Sequence, residues 1–117
     1  MNDHSDFSAF AADAGRVAAL LSTMANAKRL LVLCYLAETG EAPVSRIADE
    51  VGLSQSALSQ HLAKLRGDGL VATRREAQTI HYRLDDKRVL QLLTSLRDIF
   101  CPELEKGERK GGRSGRR

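Results

Sequence analysis

The sequence predicts a mainly α-helical domain carrying one small β-hairpin. Three observations predict it. Apolar residues recur at spacings of three and four through most of the chain. One stretch, 79–84, instead alternates strictly between apolar and polar side chains. Capping residues and glycines divide the helical part into separate segments.

The first helix carries Phe7, Phe10, Ala14, Val17, Leu21 and Met24 as one continuous apolar stripe. Asn26 is a good N-cap for a second helix over roughly 27–38, which Gly40 ends. Pro43 stands at the entry to a short third helix, about 44–51, and Gly52 breaks it. Ser54 caps a fourth helix running to about Arg66, with Leu58, Leu62 and Leu65 as its buried face. Gly67 and Gly69 stop it.

A hairpin follows. In 79–84, Ile80, Tyr82 and Leu84 point one way, and Thr79, His81 and Arg83 the other. The segment 70–75 pairs with it across a polar turn near 76–78. Asp85 or Asp86 caps the fifth helix, whose apolar side is Val89, Leu92, Leu93, Leu96, Ile99 and Phe100, and Pro102 ends it. The order is four helices, a two-stranded hairpin and one helix. A short helix, a tight turn, a polar-faced helix and then a hairpin make the winged helix-turn-helix arrangement. The folded unit is expected over 7–101. The stretch 102–117 mixes glycine with charge and is expected as a basic, disordered tail.

The 117 residues suit one domain, and an aliphatic core this small gains from dimerisation. No apolar run approaches the ~20 residues of a membrane span, and positions 2–6 are polar, so the expected compartment is the cytoplasm with no membrane partner. The net charge of +3 arises from the tail, because twelve basic and twelve acidic residues cancel over 1–101. Within 54–83, five basic residues face only Asp68 and Glu76. A basic stripe on a neutral body suits a nucleic-acid face, although charge alone fits an ordinary solvated surface better. There is no CxxC pair, Gly-rich phosphate loop or paired catalytic carboxylates, so neither an enzyme nor a cofactor is expected.

Reading a major groove requires a helix whose exposed face donates and accepts hydrogen bonds. Ser54, Gln55, Ser56, Ser59, Gln60 and Lys64 form such a face. Lys64 and Arg66 suit phosphates, and Arg74, Arg75 and Gln78 near the hairpin tip suit the backbone or the adjacent minor groove. His61 and His81 read more simply as a helix-flank and a strand-surface residue. The expected partner is double-stranded DNA bearing an inverted repeat, since a dimer presents two reading helices ~34 Å apart. Indifference to sequence would instead mark an architectural DNA-binding protein. Cys34 falls in phase with Ala27, Leu30 and Leu31, on or beside the expected buried stripe of the second helix, and Cys101 closes the fifth helix. Spacing leaves open whether these are packing thiols or reactive ones.

The run from Val51 to Arg66, VGLSQSALSQHLAKLR, closely resembles the recognition segment of the ArsR family of bacterial repressors. Gly69-Leu70-Val71 and Tyr82-Arg83-Leu84 resemble its wing, although Ala77-Gln78 stands where the family often has Gly. The resemblance covers about 10–101. It implies dimerisation through the first and last helices and repression that an inducer relieves. Two metal sites common in the family have no counterpart here. Ala42-Pro43-Val44-Ser45 replaces a cysteine pair, and beside Asp86 the expected His is Arg88. An atypical site from Cys34, Cys101 and His4 is the remaining metal arrangement. Cys34 within RLLVLC and Cys101 within IFCP resemble the dithiol of the BigR/SqrR-like persulfide-responsive subgroup. That resemblance implies a redox switch: reactive sulfur species bridge the two cysteines and release the operator. A plain disulfide needs Cα atoms within ~7 Å, so a wider pair would favour a bridge with inserted sulfur.

Overall fold

The computed structural model describes residues 3–101. The tail expected over 102–117 and the side chain of His4 lie outside what it describes. Five helices and a three-stranded antiparallel sheet follow in the order α1 (Asp3–Met24), α2 (Ala27–Thr39), β1 (Glu41–Pro43), α3 (Val44–Val51), α4 (Gln55–Gly67), β2 (Val71–Glu76), β3 (Thr79–Leu84) and α5 (Lys87–Phe100). No single helix among the described residues is long and apolar enough to cross a membrane.

The helix starts are set by side chains that accept from orphan backbone N–H groups. Asn26 accepts from Arg29 N at 3.0 Å, Ser54 Oγ from Ala57 N at 3.1 Å, and Asp86 from Arg88 N at 2.8 Å and Val89 N at 3.2 Å. Between α3 and α4 the chain reverses at Gly52, whose φ of 75° is left-handed and closes an N–H bond to Ala48 O. Lys28 Nζ donates to Val51 O at 2.8 Å and so holds the end of α3 against α2. The core gathers Val32, Leu33 and Leu36 of α2, Ile47, Ala48 and Val51 of α3, Leu58, Leu62 and Leu65 of α4, and Val89 and Leu93 of α5.

The sheet departs from a two-stranded hairpin by one strand. Its order is β1-β3-β2, with Ala42 opposite Tyr82 and Pro43 opposite His81. A proline is tolerated there because β1 is an edge. Three residues are too few to show alternation, and Pro43 reads equally well as the start of α3. In β3, Tyr82 and Leu84 pack on the core, whereas Ile80 is 37% exposed because the hairpin extends past the core's edge. The turn has two residues, and of these Ala77 alone has positive φ, 57°. That is the φ pattern of a type II′ hairpin, whose first central position favours Gly.

The stripe expected on α1 exists, but within one chain it is fully buried only at its end, at Met24, with Val17 half-buried. Phe7 is 71% and Phe10 58% exposed, and Leu21 is also open. On α5 the same holds for Leu90, Ile99 and Phe100, the last at 75%. A single chain therefore leaves two long apolar helix faces in water.

Candidate nucleic-acid interface and cysteine groove

With Leu58, Leu62 and Leu65 buried, helical periodicity turns Gln55, Ser56, Ser59, Gln60, Lys64 and Arg66 outward, and all six are exposed. These are the side chains expected to read DNA. Ser54 is exposed too, but its oxygen is already engaged in capping α4. Lys64 Nζ lies 3.4 Å from Asp68, one turn along the same helix. Beyond the sheet's base, Arg75 and Gln78 are exposed on the hairpin. Arg74 is engaged: its Nε donates to Glu41 Oε2 at 2.8 Å, and Glu76 is 3.3 Å away. The Arg74 guanidinium holds the Glu41 carboxyl below the usual range. This bridge spans 33 residues, and it was not visible in the sequence because Glu41 lies in the unforeseen β1.

The two cysteines come together. Both thiols are free and line one groove of about 1280 Å³ between α2 and α5, whose walls include Leu30, Leu31, Leu90, Leu93, Leu96 and Phe100. The position expected for Cys34 needs correcting. The buried stripe of α2 is Val32, Leu33 and Leu36, while Cys34 is exposed on the other side. Helix α2 is apolar on two faces, and spacing alone cannot say which one meets the core. Cys101, half-buried, caps the end of α5 with its N–H bonded to Arg97 O at 2.8 Å.

The groove's chemistry is uneven. Cys34 is open to the groove but surrounded by apolar walls, and this desolvation pushes its thiol above the ordinary value. The Glu38 carboxylate adds to the rise, the Arg97 guanidinium opposes it, and the Cys101 sulfur adds to it. Glu38 and Arg97 pair across the groove at 3.4 Å. Each stands one helical turn from a cysteine, Glu38 after Cys34 and Arg97 before Cys101. The sequence held that signal as two i,i+4 spacings, but nothing local joined them.

Asp86, a candidate ligand by position, is otherwise committed. It caps α5, and Arg88 grips it through Nη2 at 2.8 Å and Nε at 3.2 Å. Arg88 and the cap hold its carboxyl below the usual range. Among the described residues, no three His, Cys, Asp or Glu side chains come together as a metal would need.

A sequence model described as "Bacterial regulatory protein, arsR family" matches residues 26–73. The nodulation protein NolR of Rhizobium meliloti is 51% identical over 98 residues, covering 84% of this chain and 80% of its own length. The transcriptional activator HlyU of Vibrio cholerae is 45% identical over 89 residues, 76% of this chain and 82% of its own. The solved structure of reduced HlyU matches with a TM-score of 0.74 at 43% identity, over 79% of this chain and 96% of that one. The transcriptional repressor BigR from Xylella fastidiosa matches with a TM-score of 0.76 at 38% identity, over 86% and 98%.

Proposed function

This chain belongs to the ArsR family of bacterial transcription regulators, and from that premise we propose that it is a homodimeric repressor released from operator DNA when reactive sulfur species bridge Cys34 and Cys101. The observation that carries the sulfur reading is the shared groove: two cysteines distant in sequence line one apolar concavity between two helices. The walls are largely apolar, and a bridge across them would tie α2 to α5.

The chemistry closes without an external oxidant. A cysteine thiolate attacks the outer sulfur of a persulfide R–S–SH, the S–S bond breaks, and R–S⁻ departs, leaving Cys–S–SH. The second thiolate attacks the inner sulfur of that group and expels HS⁻, which yields a disulfide. If both cysteines are first persulfidated, attack by Cys–S–S⁻ on the inner sulfur of its neighbour expels HS⁻ and yields a trisulfide. The added sulfur lengthens the bridge, which suits thiols held too far apart for a plain disulfide.

Dimerisation is supported by the open apolar faces of α1 and α5. Paired two-fold, they would place two copies of α4 toward adjacent major grooves ~34 Å apart. In this reading Gln55, Ser56, Ser59 and Gln60 contact base edges. Ser54 joins them at the helix start, Lys64, Arg66 and Arg75 meet phosphates, and Arg74 and Gln78 complete the wing. The basic segment 102–117 adds sequence-independent attraction.

The test is operator affinity of the reduced protein on a duplex selected from random sequence, measured before and after treatment with an organic persulfide. A Cys34→Ser/Cys101→Ser protein runs alongside. Loss of binding in the native protein alone supports the switch. Equal loss in both proteins, or none in either, refutes it while leaving the DNA reading to stand on the selection itself.

A further inference from the structure

Among the described residues, Thr23 is the buried polar side chain, 4% exposed near the end of α1. Its hydroxyl donates to Asp68 Oδ2 at 2.6 Å, across 45 residues, and Asp68 caps the C-terminus of α4. A bond this short from a hydroxyl to a carboxylate is charge-assisted and directional. The same junction takes in α2, because Arg29 Nε donates to Thr23 O at 2.7 Å. The C-terminal end of α4 is thus bolted to the end of α1 by one side-chain bond.

We propose that the Thr23–Asp68 bond is a strut that fixes the angle of the reading helix relative to the dimerisation helix, so that both are positioning residues for operator recognition. The inference rests on the pairing and reading roles assigned above to α1 and α4. Three observations favour it over a merely satisfied buried hydroxyl. Asp68 is 36% exposed, so water can replace Thr23 as its partner, and the bond contributes orientation more than burial. The carboxyl of Asp68 is held below its usual range chiefly by the Thr23 hydroxyl, ahead of Lys64. Leverage is the third: Ser59 lies ~14 Å along α4 from Asp68 at ~1.5 Å per residue, so a ~10° tilt about that end moves it ~2.4 Å. Base-edge hydrogen bonds tolerate far less.

The test measures geometry directly. Spin labels go on Ala63→Cys in a Cys34→Ser/Cys101→Ser background, and the label-to-label distance in the dimer is read by pulsed electron resonance. The unmodified Thr23 protein should give one narrow distance. Thr23→Val and Asp68→Ala should at least double the distribution's width while the dimer persists, and Thr23→Ser should restore it. On the selected duplex, both disruptive variants should lose tenfold or more of their preference for the native half-site spacing over spacings changed by one base pair. Asp68→Ala, at a surface position, carries the test if Thr23→Val does not fold. Unchanged widths and spacing preference in an intact dimer overturn the strut alone. No intersubunit distance in the Thr23 protein overturns the pairing beneath it as well.

Discussion

If the chain pairs through α1 and α5 as proposed, replacing Phe10 by Ala should dissociate that dimer and leave the protomer folded. The ring is 58% exposed on one chain. On a side chain of ~200 Å² that leaves ~115 Å² of apolar surface for a partner to cover. At ~25 cal/mol per Å² this is ~3 kcal/mol per protomer, and two-fold pairing counts it twice, for an upper limit of ~6 kcal/mol. Alanine retains part of the contact and a partner covers part of the ring, so about half, ~3 kcal/mol, is the expected loss, a ~100-fold weaker dimer. The protomer loses little, because the ring has little of its own chain to pack on, and alanine favours the helix. A dilution series by analytical ultracentrifugation measures the first effect, and the helical circular dichroism of the dissociated chain the second. Leu33→Ala is the contrast: with a side chain 0% exposed, it should cost ~2–5 kcal/mol of folding stability in any oligomeric state. Identical dissociation curves for Phe10→Ala and the native protein would refute the argument.

Four other outcomes follow from particular residues. Ala77→Gly relieves a left-handed φ and should raise stability by ~1 kcal/mol in urea unfolding, while an unchanged or lower midpoint would contradict the turn geometry. Asp86 has a depressed carboxyl, so its contribution is present above the unfolded value of 3.8 and is lost as pH falls through the lower folded value. Asp86→Asn keeps a cap but loses the charge, and its stability should decline less steeply below pH ~4 than that of the native chain. In a Cys101→Ser protein, Cys34 should alkylate slowly at neutral pH, and its rate should still climb where a free thiol levels off, because burial and Glu38 raise it. An early plateau would place the thiol in water. Removing 103–117 should lower the salt dependence of DNA binding, and an equal slope would deny the tail a role.

Much of this was legible because its causes are local. Asn26 and Ser54 cap helices through bonds to N–H groups three residues on, and Asp86 through bonds two and three residues on. Leu58, Leu62 and Leu65 name the buried face of α4 by periodicity, and the opposite face follows. What stayed hidden depends on distant partners. β1 exists because β3 pairs with it, and three residues carry no pattern of their own. Arg74 looks like a free cation until Glu41 is placed beside it. The misjudged side of Cys34 has the same origin: α2 meets the core with Val32, Leu33 and Leu36 and the groove with Leu30, Leu31 and Cys34. Periodicity finds both faces but cannot rank them. Thr23 drew no notice because a lone threonine in a helix has no signature, and its partner is 45 residues away.

The short strand Glu41–Pro43 also changes how the wing can transmit force. It pairs with β3 in the register Glu41↔Arg83, Ala42↔Tyr82 and Pro43↔His81, and the next residue begins α3. The hairpin is therefore held at its root on both sides, like a cantilever, and the overhang beyond Arg74↔His81 is the part expected to yield. A push on that overhang, from a phosphate or a neighbouring protein, arrives at the first turn of α3 with no slack loop to absorb it. Slow amide exchange at the clamped root beside fast exchange in the overhang would reveal this division of stiffness along a single ribbon.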